Sequence, residues 1–199
     1  MSQAGIFPSR LTPEQYLASE REAETKHEFH DGRLVAMAGG TGTHAELATN
    51  LAAELRIRTK GRPCRIYNSD MKVWIEHSRR FLYPDISGLC EPPVFHDAIG
   101  DVLLNPSFIV EVLSRSSEAY DRGRKLSLYM AVPSVREILL VSQEEVEVHK
   151  YTRQPDGIWR FEAFSGLDAV LTVLTIGSEF ALREFYEGVE LAPPSPEAS

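Results

Sequence analysis

The chain has 199 residues, 43% of them hydrophobic and 25% charged, with a formal net charge of −8. That length supports one well-buried core and is short for two full domains, the net charge argues against a broad nucleic-acid-coating surface, and no apolar run approaches the roughly 18 residues that cross a bilayer. The first ten residues lack the basic start and apolar core of a secretory signal, and Cys64 and Cys90 have neither metal-site spacing nor the density of a disulfide scaffold, so a reduced, cytoplasmic protein with no membrane partner is expected.

A helix is predicted from Thr12, its N-cap, to about Ser19, with Pro13 at the first helical position and Gln15 three residues after the cap. Asp31-Gly32 between two alternating segments predicts a β-hairpin. Gly39-Gly40-Thr41-Gly42-Thr43 reads as a flexible loop; no Gly-Lys-Ser/Thr follows, so it is not a P-loop. A second helix is predicted from His44 to about Thr59 on Leu47, Leu51 and Leu55, closed by Gly61 and Pro63. Arg56, Arg58, Lys60, Arg62 and Arg65 stand together without an acid, either as a solvated helix end or as a phosphate-contacting patch.

Residues 64–67 and 71–76 read as paired strands around Asn68-Ser69-Asp70, and 81–90 as a third strand. Residues 91–106, with three prolines, read as a long surface connection. Phe108 to Ser114 is a short apolar run around one carboxylate, the pattern of a strand buried on both faces. A helix follows over 118–130, capped by Ser116 or Ser117, and then a buried strand over 136–142. Residues 146–151 and 158–164 alternate across Asp156-Gly157 as a hairpin; 170–176 adds a strand and 180–186 a short helix. The expected organisation is a flexible stretch over 1–10, a single domain over 11–190 and a disordered Pro-rich tail over 191–199. The expected fold is α+β (mixed α/β): a mixed central β-sheet flanked by helices, with N- and C-terminal β-hairpins.

Glu111 sits inside the apolar run, where burial disfavours its ionised form unless a cation, a hydrogen-bond network or a metal compensates it. Asp85 stands in a similar setting in Tyr83-Pro84-Asp85-Ile86. Two carboxylates on neighbouring central strands suit a hard divalent cation, Mg²⁺ or Mn²⁺, with the carbonyl of Val112 as a third oxygen. A metal held there stabilises charge on a phosphoryl group and acidifies an attacking water, with a nearby Lys as partner.

Pro84-Asp85 followed by Glu111-Val112-Leu113 resembles the PD-(D/E)XK nuclease superfamily. More narrowly, Lys26-His27-Glu28-Phe29-His30-Asp31-Gly32, Ser69-Asp70-Met71-Lys72-Val73, Tyr83-Pro84-Asp85, Glu111-Val112-Leu113-Ser114 and Tyr120-Asp121-Arg122-Gly123-Arg124-Lys125 resemble, in order, the Uma-two family of restriction-endonuclease-like proteins. The resemblance implies a restriction-endonuclease-like fold and a Mg²⁺- or Mn²⁺-dependent endodeoxyribonuclease acting on DNA as a homodimer. The superfamily pattern wants Lys where this chain has Leu113; some members carry it on the following helix, which makes Lys125 the candidate. The resemblance also brings Glu28 toward the metal as an early acidic residue.

His44, Lys72, Tyr120 and Asp121 are candidates for substrate contact or for orienting Lys125. Plainer roles stay open for each candidate. Asp85 could bond a strand end and Glu111 could join a structural ion pair. Lys125 and Glu28 could be ordinary surface residues, His44 a cap or packing group, and Lys72 could face solvent. The alternatives to an endonuclease are a silent nuclease-fold binding module and a metal-dependent phosphoesterase acting on small nucleotides.

Overall fold

A computed structural model describes residues 10–37, 39–114 and 118–191. Of the expected flexible start over 1–10 and tail over 191–199, all but residues 10 and 191 lie outside them, as does a cap at Ser116 or Ser117. Helix α1 (Pro13–Glu20) begins with the expected capping box: Thr12 accepts from the Gln15 N–H, and Gln15 returns a side-chain acceptor to the Thr12 N–H. Strands β1 (His27–His30) and β2 (Arg33–Ala36) form the expected hairpin. Asp31 and Gly32 both take positive φ, which a two-residue hairpin turn requires.

Helix α2 (Gly42–Arg58) starts two residues earlier than expected, because Thr41 caps it by accepting from the His44 N–H. In the basic window that ends it, Arg58 is tied to Glu184 and Arg62 to the carbonyl of Ile176, which favours the helix-end reading over a phosphate patch.

The next stretch departs from expectation. Strands β3 (Arg65–Asn68) and β4 (Lys72–Ile75) do not pair with each other. The predicted single strand over 81–90 is two strands, β5 (Arg80–Leu82) and β6 (Ile86–Leu89). The break falls at Tyr83-Pro84-Asp85, where Pro84 has no N–H to donate to a ladder. β4 and β5 pair in one sheet, β3 and β6 in another. The connection over 91–106 is not structureless either, since it contains β7 (Val102–Leu103), parallel to β4.

A five-stranded sheet runs β2-β1-β5-β4-β7. A six-stranded sheet runs β11-β10-β9-β8-β6-β3, where β8 is Phe108–Leu113, β9 Glu137–Ser142, β10 Glu147–Arg153 and β11 Trp159–Ser165. The six-stranded sheet is the expected mixed central sheet, and the expected N-terminal hairpin is built into a second sheet of five strands. The C-terminal hairpin over β10 and β11 forms as expected. Residues 170–186 fold as a ribbon of β12 (Val170–Val173) and β13 (Ser178–Ala181), and the expected helix shrinks to α5 (Leu182–Phe185).

β8 is buried throughout. Val110 and Val112 pack on Leu47, Leu51 and Leu55 of α2, while Ile109 and Leu113 pack on the other side with Leu126, Leu128 and Tyr129. That second cover is a helix in three parts: α3 (Glu118–Tyr120), a wide turn over Asp121–Lys125 with π-type bonding, and α4 (Leu126–Met130). The register that sets Arg65 opposite Leu89 also brings Cys64 and Cys90 face to face, and they form a disulfide. The expectation of reduced cysteines is thereby corrected; their spacing in sequence does not show the strand pairing that joins them. Among the described residues, no helix is long and apolar enough to cross a membrane.

Candidate active site

The chain passes from the first sheet to the second through Tyr83-Pro84-Asp85, and the candidate residues gather at that junction. β6 and β8 run antiparallel with Ile86 opposite Val110, so Asp85 falls opposite Glu111 by continuation of the register. Glu28 comes from β1 of the first sheet, and one of its oxygens lies 3.4 Å from the Tyr83 N–H. Lys125 enters from the wide turn of the covering helix.

The Lys125 ammonium lies 2.8 Å from Glu111 Oε1, 3.7 Å from Glu28 Oε1 and 3.9 Å from Asp121 Oδ1. Lys125 is only 7% exposed and Glu111 only 3%, so Lys125 is no surface lysine. Tyr129, one turn further along, donates its hydroxyl to the same Glu111 Oε1 at 2.7 Å. Leu113, where the superfamily pattern wants Lys, is packed in the apolar layer beneath the helix. Asp85 Oδ2 accepts the Val112 N–H at 2.7 Å and lies 3.3 Å from His44 Nε2, so His44 reaches the site from the first turn of α2. Glu28 Oε2 lies 2.8 Å from His30 Nε2; a carboxylate only accepts, so that nitrogen carries the hydrogen. Tyr120 sits behind His30, its hydroxyl 3.4 Å from the same nitrogen and its ring stacked on the imidazole.

Burial raises Glu111 to about 8, against the pull of Lys125. Burial also opposes charge on Lys125, but Glu111, Glu28 and Asp121 outweigh it and hold the ammonium protonated. Burial works against Asp85 and Glu28 as well. Asp85 is nevertheless held below the usual carboxylate range by His44, the Val112 N–H and Lys125, and Glu28 by His30, Lys125 and the Tyr83 N–H. The hydrogen bond to Asp85 raises His44 in turn, against its burial.

The structure brings together Glu28, Asp85, Glu111, Lys125, His44, Tyr120 and Asp121, with Val112 contributing its N–H. Lys72 is not part of this contact set. Its ammonium is 2.9 Å from Asp101 Oδ2 and lies over the Tyr83 ring. His30 and Tyr129 were not singled out from the sequence, although their spacings were available: His30 stands two after Glu28 on a strand, and Tyr129 four after Lys125 on a helix.

Among the described residues, no group of three or more His, Cys, Asp or Glu side chains is arranged to hold a metal ion. Asp85 and Glu111, set opposite each other by the β6–β8 register, carry carboxylates, hard oxygens of the kind Mg²⁺ takes one or two at a time with water completing its shell. Their chemistry fits such an ion, and the burial that raises Glu111 is relieved by any added positive charge.

The chain belongs to the Uma2 family, whose model, described as "Putative restriction endonuclease", matches residues 13–183. It is 36% identical over 188 residues to the uncharacterized protein slr1290 of Synechocystis, covering 94% of this chain and 97% of that one. A second Synechocystis protein, the uncharacterized sll1609, is 35% identical over 159 residues, covering 80% of this chain and 90% of the relative. A crystal structure from Anabaena variabilis, described as a "putative nuclease belonging to DUF820", superposes with a TM-score of 0.71 at 18% identity, covering 88% of this chain and 97% of that one. That likeness shows a shared α+β fold.

Proposed function

We propose that the chain is a divalent-metal-dependent endodeoxyribonuclease that hydrolyses phosphodiester bonds at the junction of its two sheets. The observation that carries this reading is the buried Lys125 ammonium, 2.8 Å from Glu111 and 3.7 Å from Glu28. A lysine from the covering helix thus occupies the charge-stabilising place that Leu113 leaves unfilled. Asp85 and Glu111 would hold the metal, which supplies Lewis-acid stabilisation of phosphate charge when bound. The carbonyl of Val112 belongs to the same reading as a third ligand.

Within it, Lys125 stabilises negative charge on the phosphate in the transition state. Tyr129 and the Val112 N–H fix the rotamers of Glu111 and Asp85, and His30 fixes Glu28. His44 and Tyr120, both half-buried, stand at the rim, where a strand passing the site meets them, and the buried Asp121 orients Lys125. Lys72 is assigned to the fold through Asp101 rather than to substrate. The protein acts as one domain over 11–190, as a homodimer and in the cytoplasm.

Supercoiled plasmid should be nicked in Mg²⁺ or Mn²⁺ and spared in EDTA. Asp85→Ala and Glu111→Ala should each lose nicking by at least about a hundredfold while remaining folded. A second reading is favoured by the closure of Glu111 between Lys125 and Tyr129: a nuclease fold that binds without cutting. Intact plasmid with every divalent ion, together with retained DNA binding, would select it. Hydrolysis of mononucleotides or dinucleotides without plasmid nicking would select a phosphoesterase instead.

A further inference from the structure

Beside the carboxylate cluster lies a cavity of about 420 Å³ lined by Arg10, Arg33, Arg80 and Arg124, with His30 and Tyr120 on its inner wall and Asp31 as its one lining carboxylate. We propose that this cavity is a phosphate-binding site, which seats a backbone phosphate of the nucleic-acid strand next to the one at the carboxylates. The proposal rests on the nuclease reading only for the kind of molecule that carries the phosphate.

Arg80 is the observation that asks for a ligand. It is 7% exposed, and its Nε and Nη1 are shielded from solvent with no hydrogen-bond partner among the described residues. A guanidinium does not lose its proton, so it cannot escape burial by neutralising as a carboxylate does. A guanidinium buried with two of its three nitrogens unpartnered is costly, and an anion in the cavity it lines supplies the missing hydrogen-bond acceptors and counter-charge. Planar guanidinium groups from several elements suit phosphate, whose oxygens accept pairs of N–H bonds.

The walls are built rather than accidental. Arg80 stands directly opposite His30 in the β1–β5 pairing. Arg33 follows the Asp31-Gly32 turn, and the Asp31 N–H donates to the Arg79 carbonyl at 3.0 Å, tying that turn to β5. Leu11 donates to the Gly32 carbonyl at 2.9 Å, which holds the neighbouring Arg10 against the hairpin. Arg124 precedes Lys125 in the wide turn, so one segment sends a cation to the cavity and the next to the carboxylates. His30 joins the two places, since it lines the cavity and also contacts Glu28 at 2.8 Å.

The test reads binding without cleavage. Fluorescence anisotropy in EDTA would follow the full chain with a labelled DNA duplex, with and without a 5′-phosphate, and with inorganic phosphate as competitor. Arg33→Gln and Arg124→Gln, both at exposed positions, should each weaken duplex binding roughly three- to tenfold and each reduce the slope of log K against log salt by about 1. Arg80→Met should weaken it more than tenfold, provided its melting curve shows it folded. Tighter binding of the 5′-phosphorylated duplex would assign the cavity to a strand end, and equal binding to an internal phosphodiester; both support it. Unchanged affinity and salt slope in Arg33→Gln and Arg124→Gln would overturn it. If the wild type nicks plasmid but these variants bind and nick normally, the cavity proposal fails and the nuclease reading stands. Arginine-dependent binding without nicking gives the reverse.

Discussion

At the scale of single residues, the site is a balance of buried charges, and the ion pair between Lys125 and Glu111 sits at its centre. Lys125→Met removes the cation that opposes the burial of Glu111, so the Glu111 carboxyl is pushed up further and holds its proton more firmly. Nicking should then be lost, and Lys125→Arg should restore it poorly, since a planar guanidinium is bulkier than a point-like ammonium. The stability cost should be non-additive with Glu111→Gln: a double-mutant cycle in urea should return a coupling of roughly 0.5–3 kcal/mol. Additive costs would mean that the two groups do not meet. A separate charge cluster gives a pH test away from the site. Asp101 is held below its ordinary range first by Arg21 and then by Lys72, working against its burial. A depressed carboxylate contributes stability above its unfolded value and loses it as pH falls toward the folded one. Wild type and Asp101→Asn should therefore differ by about 1 kcal/mol at pH 6, and their urea midpoints should begin to converge below about pH 4. A gap that widens on acidification would contradict the sign.

At the scale of elements, two glycines separate close packing from helix propensity. A Cβ at Gly88 on β6 would collide with the Phe108 ring and approach the Arg65 carbonyl oxygen at 3.1 Å. Gly88→Ala should cost roughly 1–3 kcal/mol or more, seen as a lowered melting temperature. A Cβ at Gly123 meets nothing within 4 Å in the wide turn. Gly123→Ala should stabilise by about 0.5–1 kcal/mol and leave nicking intact. A loss of nicking with stability raised would show that the wide turn must open during the reaction.

The same scale shows what was legible from the residues. The Thr12–Gln15 box and the Asp31-Gly32 turn could be read because their signals are local. Asp85 and Glu111 could be read because a carboxylate in an apolar run needs a partner wherever the strand goes. The pairing of β3 with β6 and β4 with β5 could not, because a three-residue gap looks like a hairpin whether or not the chain changes sheets. Pro84 was the available sign of that change. Arg80 was invisible for a related reason: its meaning comes from standing opposite His30, a cross-strand register that no spacing along the chain encodes.

At the scale of the whole molecule, the remaining question is which surface a second copy would cover. A duplex has two strands, and a two-fold pair would present one site to each. Each sheet has edge strands, and β2 and β11 both carry exposed apolar residues. On β2, Leu34 and Val35 are 40% and 43% exposed, but Arg33 and Val35 line the arginine cavity. A copy docked on β2 would close that cavity. On β11, Phe161 is 51% exposed and Ile158, just before it, 65%; this edge lies in the other sheet and leaves the cavity open. Unpaired strand edges of this kind are templates for another chain. The dimer is therefore expected to form through β11, burying about 800 Å² per copy if it is of standard size. Light scattering at micromolar concentration should give twice the chain mass, and Phe161→Lys should return it to one without changing the fold. A wild type that scatters as a monomer would count against the dimer altogether, whereas a Phe161→Lys variant that still pairs while Val35→Lys does not would move the interface to β2 and leave the arginine cavity covered in the assembled protein.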